Sequence, residues 1–153
     1  MKHIEIERKF LVESTAYKAK AISKTRIAQG FLNTDPERTV RVRTRGDKGF
    51  LTIKGKGNVS GTTRFEWEKE IPVEDAKLLL EICENHIIKK IRYEVPVENH
   101  IFEVDEFKGL HKGLVIAEVE LKNENEVFKK PHWLGDEVTG QVEYYNASLC
   151  KIH

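Results

Sequence analysis

Strict alternation of apolar and charged positions runs through most of this chain. Over His3–Phe10, Ile4, Ile6 and Phe10 alternate with Glu5, Glu7 and Lys9. A period of two is that of a β-strand, whose successive side chains point to opposite faces. Both carboxylates and the ammonium therefore share one face. The pattern recurs along the chain. A second strand is predicted over Arg26–Leu32, closed by the turn cluster Asn33-Thr34-Asp35-Pro36. A third, Thr39–Arg45, sets its arginines against its valines, and a fourth, Phe50–Lys56, puts Thr52, Lys54 and Lys56 on one face. In Thr63–Ile71, Arg64, Glu66, Glu68 and Glu70 oppose Phe65, Trp67 and Ile71. Ile87–Val97 sets Lys90 and Arg92 against Ile91, Tyr93 and Val95. Ile101–Phe107 puts Glu103 and Asp105 opposite Phe102 and Val104, and Gly113–Lys122 puts Glu118 and Glu120 opposite Ala117, Val119 and Leu121.

Helical signals are fewer. Ser14 is a candidate N-cap for a short helix through Ala21. Pro72 opens a helix from Val73 to about Glu84, with acids in its first turn and Ala76, Leu79, Leu80 and Cys83 on one face. Val142, Tyr145, Leu149 and Ile152 fall at helical spacing and predict a last helix over Gln141–Ile152. The stretch Lys129–Asp136 reads as a connection containing Trp133. Three glycines between Gly55 and Gly61 suggest a phosphate-cradling loop by composition. The Gly-Lys-Ser/Thr ending is missing, and the loop joins two strands instead of opening a helix, so it reads as a hairpin loop.

Eight strands joined mostly by short turns predict a β-dominated α+β fold: an antiparallel barrel with a few flanking helices. An ordinary barrel with an apolar interior and a solvated charged exterior would give the same alternation. It leaves unexplained why the charges sort by strand. Bases dominate the third, fourth and sixth strands through Arg41, Arg43, Lys54 and Arg92. Acids dominate the first, seventh and eighth through Glu5, Glu7, Asp105, Glu118 and Glu120. Turned inward, the two sectors would line a wet tunnel. Guanidinium forks and ammonium groups suit phosphate oxygens, while carboxylates suit Mg²⁺ or Mn²⁺. A small polyanion with metal would satisfy both walls.

Length and charge narrow the classes further. The 153 residues predict a single domain spanning 1–153 with a real core. A third of the residues are charged, yet the formal net charge is only +1, which disfavours a general nucleic-acid binder or membrane-surface binder. Cys83 and Cys150 are isolated in sequence, so neither a disulfide framework nor a zinc site is expected. No signal peptide and no membrane-spanning run are read, and the expectation is a soluble cytoplasmic protein.

The ordered charges also carry a resemblance. Glu5-Ile6-Glu7-Arg8-Lys9 resembles the Glu-x-Glu-x-Lys signature of the CYTH, or triphosphate tunnel metalloenzyme, superfamily. Arg41-x-Arg43, Lys54, Glu66-x-Glu68, Lys90-x-Arg92, Asp105 and Glu118-x-Glu120 follow in the family's order, over essentially the whole chain. The likeness is greatest to the short single-domain bacterial members. It implies an eight-stranded triphosphate tunnel, with the C-terminal helix as a plug closing one end. It implies Glu5, Glu7, Asp105, Glu118 and Glu120 as metal-binding acids. It implies Lys9, Arg41, Arg43, Lys54, Lys90 and Arg92 as the phosphate grip, with Arg64 beside the substrate and Glu66 and Glu68 orienting neighbours. Glu5, Glu7, Lys9, Glu118 and Glu120 form the implied catalytic set. The implied reaction is metal-dependent hydrolysis of a terminal phosphoanhydride, with inorganic tripolyphosphate as first choice because no base-recognition insert is visible. Class IV adenylyl cyclase, nucleoside or thiamine triphosphatase, RNA 5′-triphosphatase and a non-catalytic polyphosphate-binding module are the alternatives. Oligomeric state is open.

Overall fold

The computed structural model describes residues 3–151. Nine strands make one antiparallel sheet: β1 (Ile4–Val12), β2 (Ser23–Asn33), β3 (Arg38–Arg45), β4 (Lys48–Gly55), β5 (Thr63–Ile71), β6 (Glu84–Val97), β7 (His100–Phe107), β8 (Val115–Glu120) and β9 (Leu134–Glu137). Their order is β5-β4-β3-β2-β6-β7-β8-β1-β9, and a further β5–β1 pairing closes the first eight into a barrel. The eight-stranded antiparallel barrel expected from the alternation is therefore present, with β9 added outside the closure.

Register shows which face is inside. In an antiparallel pair, residues directly opposite share a face. Lys9 lies opposite Glu118, Arg92 opposite Asp105, Arg43 opposite Gln29, and Thr52 opposite both Arg41 and Glu68. These positions form one continuous charged lining. The alternate positions carry the apolar residues to the outer wall, and there the main core sits. Phe10, Tyr93, Val95, Phe102, Val104 and Val119 are buried under Tyr17 and Trp133, which come from segments laid over the outside of β1, β6, β7 and β8. Tyr17 meets Tyr93 and Trp133 edge-on at centroid distances of 5.5 and 5.8 Å, and Phe102 meets Trp133 at 5.6 Å. Such pairs add about 0.5–1.5 kcal/mol each beyond burial. Helix α1 (Val73–Leu80) covers the outside of β2, β3 and β4, with Ala76 fully buried.

A second cluster lies inside one end of the barrel. Phe31, Ile88, Phe107 and Ile116 occupy lining positions there and pack against Leu149 and Cys150 of the C-terminal segment. The plug is thus present as a segment, but its form differs from the expected helix. The 3-10 turn Val142–Tyr144 and the one-turn helix α2 (Asn146–Leu149) are separated by Tyr145, whose φ of −74° and ψ of 141° are extended. Its carbonyl still serves the next turn, accepting from the backbone N–H of Ser148 and Leu149 at 2.9 Å. The apolar spacing is met by two short turns bent into the barrel mouth, and Ile152 lies outside the described residues.

Three other expectations are corrected. The segment after Ser14 is a 3-10 helix, Ala16–Lys20, entered from Thr15 and not a capped α-helix. Helix α1 stops at Leu80, four residues before Glu84, because β6 starts at Glu84 and Asn85 takes a φ of +59°. The Lys129–Asp136 connection contains most of β9, which pairs with β1 through Phe10 and Val12. No helix among the described residues is long and apolar enough to cross a membrane.

Candidate active site in the barrel

A cavity of about 370 Å³ opens from the charged interior toward the barrel end occupied by the C-terminal segment. Glu5, Glu7 and Lys9 of β1 line it together with Glu118 of β8. Arg41 of β3, Thr52 and Lys54 of β4 and Arg64 of β5 line it too, with Arg64 directly beside Glu5 across the β5–β1 pair. The cavity volume is that of a small-molecule site. Acids and bases sorted by strand in the sequence thus line one space.

Within it the charges are already paired. Lys54 Nζ lies 3.0 Å from Glu5 Oε1 and 3.6 Å from Glu66 Oε2. Burial alone would raise the Glu5 pKa, but the Lys54 charge overrides it and holds Glu5 below the usual carboxylate range. Glu66 is pushed up to about 7 by burial and then by the neighbouring Glu5 charge. Glu7 behaves oppositely to Glu5. Burial, then the charges of Glu118 and Glu5, push it well above the ordinary value. Burial opposes ionisation of Glu118, but the Lys9 charge and then the Glu7 carboxyl beside it hold Glu118 at about 2. Lys9 Nζ donates to the Tyr144 carbonyl at 3.3 Å and sits 5.1 Å above the Tyr145 ring.

Arg41 and Arg43 both reach Glu68 with Nη2 at 3.5 Å, and Glu68 also accepts a 2.6 Å hydrogen bond from Thr52. Glu68 therefore holds the two guanidiniums side by side, although like charges repel. Arg64 Nε donates to the Gly55 carbonyl at 3.1 Å.

Asp105, Lys90 and Arg92 form a knot further along the same barrel lining and, like Arg43 and Glu120, do not line the cavity itself. Arg92 is bidentate to Asp105 at 2.8 and 2.9 Å, and Lys90 Nζ lies 2.7 Å from the same carboxylate. Burial opposes ionisation of Asp105, but the Arg92 and Lys90 charges hold it well below the usual range. Burial pushes Lys90 down to about 8. Arg92 extends this knot to Glu103 at 3.2 Å and Glu118 at 3.7 Å. Glu120, at the end of β8, faces Glu7 directly across the β8–β1 pair.

Several wall residues carry no signal in the sequence. Thr52 reads as an ordinary strand threonine, and Tyr145 as a helical core contact. The hairpin loop after β4 also lines the mouth, through Gly57, Asn58 and Gly61. It meets the C-terminal segment closely: a Cβ on Gly61, at a φ of +77°, would lie 2.4 Å from the Gly140 Cα. Loop glycines show that a close approach is needed, but not with what.

Four carboxylates, Glu5, Glu7, Glu118 and Glu120, stand on the adjacent strands β1 and β8. Hard oxygen donors gathered on two adjacent strands suit a divalent cation of the Mg²⁺ class. Among the described residues no three acids, histidines or cysteines already converge on one point. Lys54 and Lys9 stand against Glu5 and Glu118 instead.

Comparisons with known proteins agree with this geometry. The CYTH domain model matches residues 3–150. An inorganic triphosphatase from Acetivibrio thermocellus is 49% identical over 96% of this chain and 93% of its own length. One from Nitrosomonas europaea is 34% identical over 95% of this chain and 96% of its own length. A solved inorganic triphosphatase structure superposes with a TM-score of 0.69 at 31% identity, covering 97% of this chain and 95% of that one. With a closed barrel, an inward charged lining and a family match over nearly its whole length, the chain belongs to the CYTH family.

Proposed function

We propose that this protein is an inorganic triphosphatase, hydrolysing a terminal phosphoanhydride of tripolyphosphate inside the barrel with Mg²⁺ or Mn²⁺, in the cytoplasm. The observation that carries the reading is one cavity lined both by Arg41, Lys54 and Arg64 and by Glu5, Glu7 and Glu118. The relatives named inorganic triphosphatase support the same substrate class.

Lys9, Arg41, Arg43, Lys54 and Arg64 bind the phosphate chain by charge-assisted hydrogen bonds. Their fixed positions on adjacent strands stabilise charge that shifts toward the leaving oxygens. Glu68 and Thr52 keep Arg41 and Arg43 aimed. Glu5, Glu7, Glu118 and Glu120 are the groups that would hold a divalent cation. Such an ion supplies polarisation of a phosphoryl oxygen and a more acidic bound water. Asp105 acts through Arg92 and Lys90 as a positioning residue, since both its oxygens are already taken. The charged lining addresses the phosphate chain, and the relatives are named for an inorganic substrate, so ATP is expected to be the poorer substrate.

The test is phosphate release from tripolyphosphate, ATP and thiamine triphosphate, with Mg²⁺, with Mn²⁺ and with chelator. Release from tripolyphosphate well above the others, abolished by chelator, is expected. Cyclic AMP and pyrophosphate formed from ATP at comparable rates would assign the barrel to a cyclase instead.

A further inference from the structure

One buried amide in the tunnel has no partner. Gln29 lies on the lining face of β2, two residues before Phe31, which lines the cavity. Its register neighbours are Arg43 on β3 and Ile88 on β6, both buried. Gln29 is 0% exposed, and among the described residues neither Oε1 nor Nε2 has a hydrogen-bond partner. The Nε–H groups of Arg41 and Arg43 are buried and unpaired as well, since these guanidiniums lean on Glu68 only through Nη2. The residue between Gln29 and Phe31 is Gly30, on the outer face, where a Cβ would lie 2.7–2.9 Å from Ile87 and Cys83. That close approach fixes which way Gln29 faces.

Buried polar atoms without partners are rare, because each forfeits its hydration. A leucine or methionine would fill the same volume without that cost. An amide at this place is suited to a ligand with both acceptors and a donor. Its Nε2 donates twice and its Oε1 accepts, while the two arginine Nε–H groups only donate. Anionic phosphate oxygens satisfy the donors. Only a group carrying a proton satisfies Oε1. A terminal phosphate in its monoprotonated form offers both, as P–O⁻ and P–OH. A phosphorus in mid-chain or esterified to a nucleoside has no such hydroxyl.

We propose that Gln29, with the Nε–H of Arg43, forms a deep subsite that reads the protonated oxygen of a terminal phosphate, in substrate and in orthophosphate product alike. The proposal rests on the cavity being a phosphate site and assigns its specificity for end groups. About 7 Å separates i and i+2 positions on a strand, so the subsite lies one step beyond the wall formed at Phe31; Gln29 and Arg43 do not line the cavity, and a phosphate reaches them only as their side chains shift to admit it. Sites built to bond a hydroxyl reject analogues lacking it strongly.

Sulfate is the discriminating probe, because it matches hydrogen phosphate in shape and charge but carries no proton at neutral pH. Binding of orthophosphate and of sulfate is measured by calorimetry for the wild type, Gln29→Met and Gln29→Leu, beside melting curves and tripolyphosphate kinetics. The wild type is expected to prefer orthophosphate about tenfold or more. Both variants should lose most of that preference, drop kcat/KM for tripolyphosphate about tenfold, and melt no lower than the wild type. A merely structural glutamine would give the opposite sign on melting. Equal binding of the two anions by the wild type, or an undiminished preference in both variants, would overturn the subsite and leave Gln29 to an internal water. Calorimetry needs no turnover: a wild type that fails to hydrolyse tripolyphosphate yet prefers orthophosphate overturns the proposed reaction and retains the subsite.

Discussion

The Lys54 ammonium on β4 reaches past β5 to both carboxylate oxygens of Glu5 on β1, at 3.0 and 3.1 Å. It offsets the repulsion that Glu5 meets from the nearby Glu118 charge. Removing one partner of a buried pair leaves an uncompensated charge, which costs ~3–5 kcal/mol. Lys54→Met should therefore lower the melting temperature without divalent metal, and added Mg²⁺ or Mn²⁺ should recover part of the loss. Unchanged melting in metal-free buffer would show that Glu5 does not depend on Lys54.

Glu120 and Glu7 face each other directly across β8 and β1. Like charges opposite one another destabilise a strand pair. Glu120→Gln should melt no lower than the wild type without metal. A ligand that binds only the native state at a hundredfold excess over its Kd stabilises by about 2.7 kcal/mol. The variant should lose most of that metal-induced rise and most of its activity. Paired melting curves with and without Mn²⁺ decide this, and an undiminished rise would remove Glu120 from the metal-binding acids.

Asp105→Asn should behave in the opposite way. The carboxylate balances two buried cations, Lys90 and Arg92. Losing it should cost ~3–5 kcal/mol of stability with or without metal. The metal-induced rise in melting temperature should persist. A variant that stays stable but no longer responds to metal would identify Asp105 as a ligand and not as the anchor of Lys90 and Arg92.

The free thiols give a pH-dependent test of the α1–β6 junction. Burial, then the nearby Cys150, push the Cys83 thiol up to about 11. Raising a thiol pKa depletes the reactive thiolate at pH values below it, so at pH 8 its fraction falls about a hundredfold below that of an ordinary cysteine. Alkylation of Cys83 in the native protein should be slow at pH 8, rise steeply toward pH 11, and become fast at pH 8 on unfolding. Fast native reaction at pH 8 would mean that the junction opens readily.

Strands with one apolar face were legible because period two survives any tertiary context. Thr63–Ile71 coincides with β5 to the residue. Lining positions followed from the same parity once charges were seen to sort by strand. Other elements were hidden for stated reasons. At the C-terminus, Val142, Tyr145 and Leu149 have helical spacing, but spacing does not report that Tyr145 is extended. Strand β9 is only four residues and holds Gly135, so its existence depends on the free edge of β1 beyond Phe10. Gln29 was invisible because one amide in a strand looks like any polar residue until its burial and missing partners are known. Asp105 reads as one more acid in register, and only the geometry shows it spent on Arg92 and Lys90.

Strand β1 pairs with β5 through Ile4–Ile6, with β8 through Glu7–Leu11 and with β9 through Phe10 and Val12. Its partners thus come from across nearly the whole chain. As the polypeptide emerges during synthesis, the first strand of the barrel is made earliest and completed last. It cannot be paired along both edges until β5, β8 and β9 all exist, so closure depends on long-range contacts, which form slowly. The charges Glu5, Glu7, Arg8 and Lys9 then have a second use. They guard an open edge against pairing with another chain during that wait.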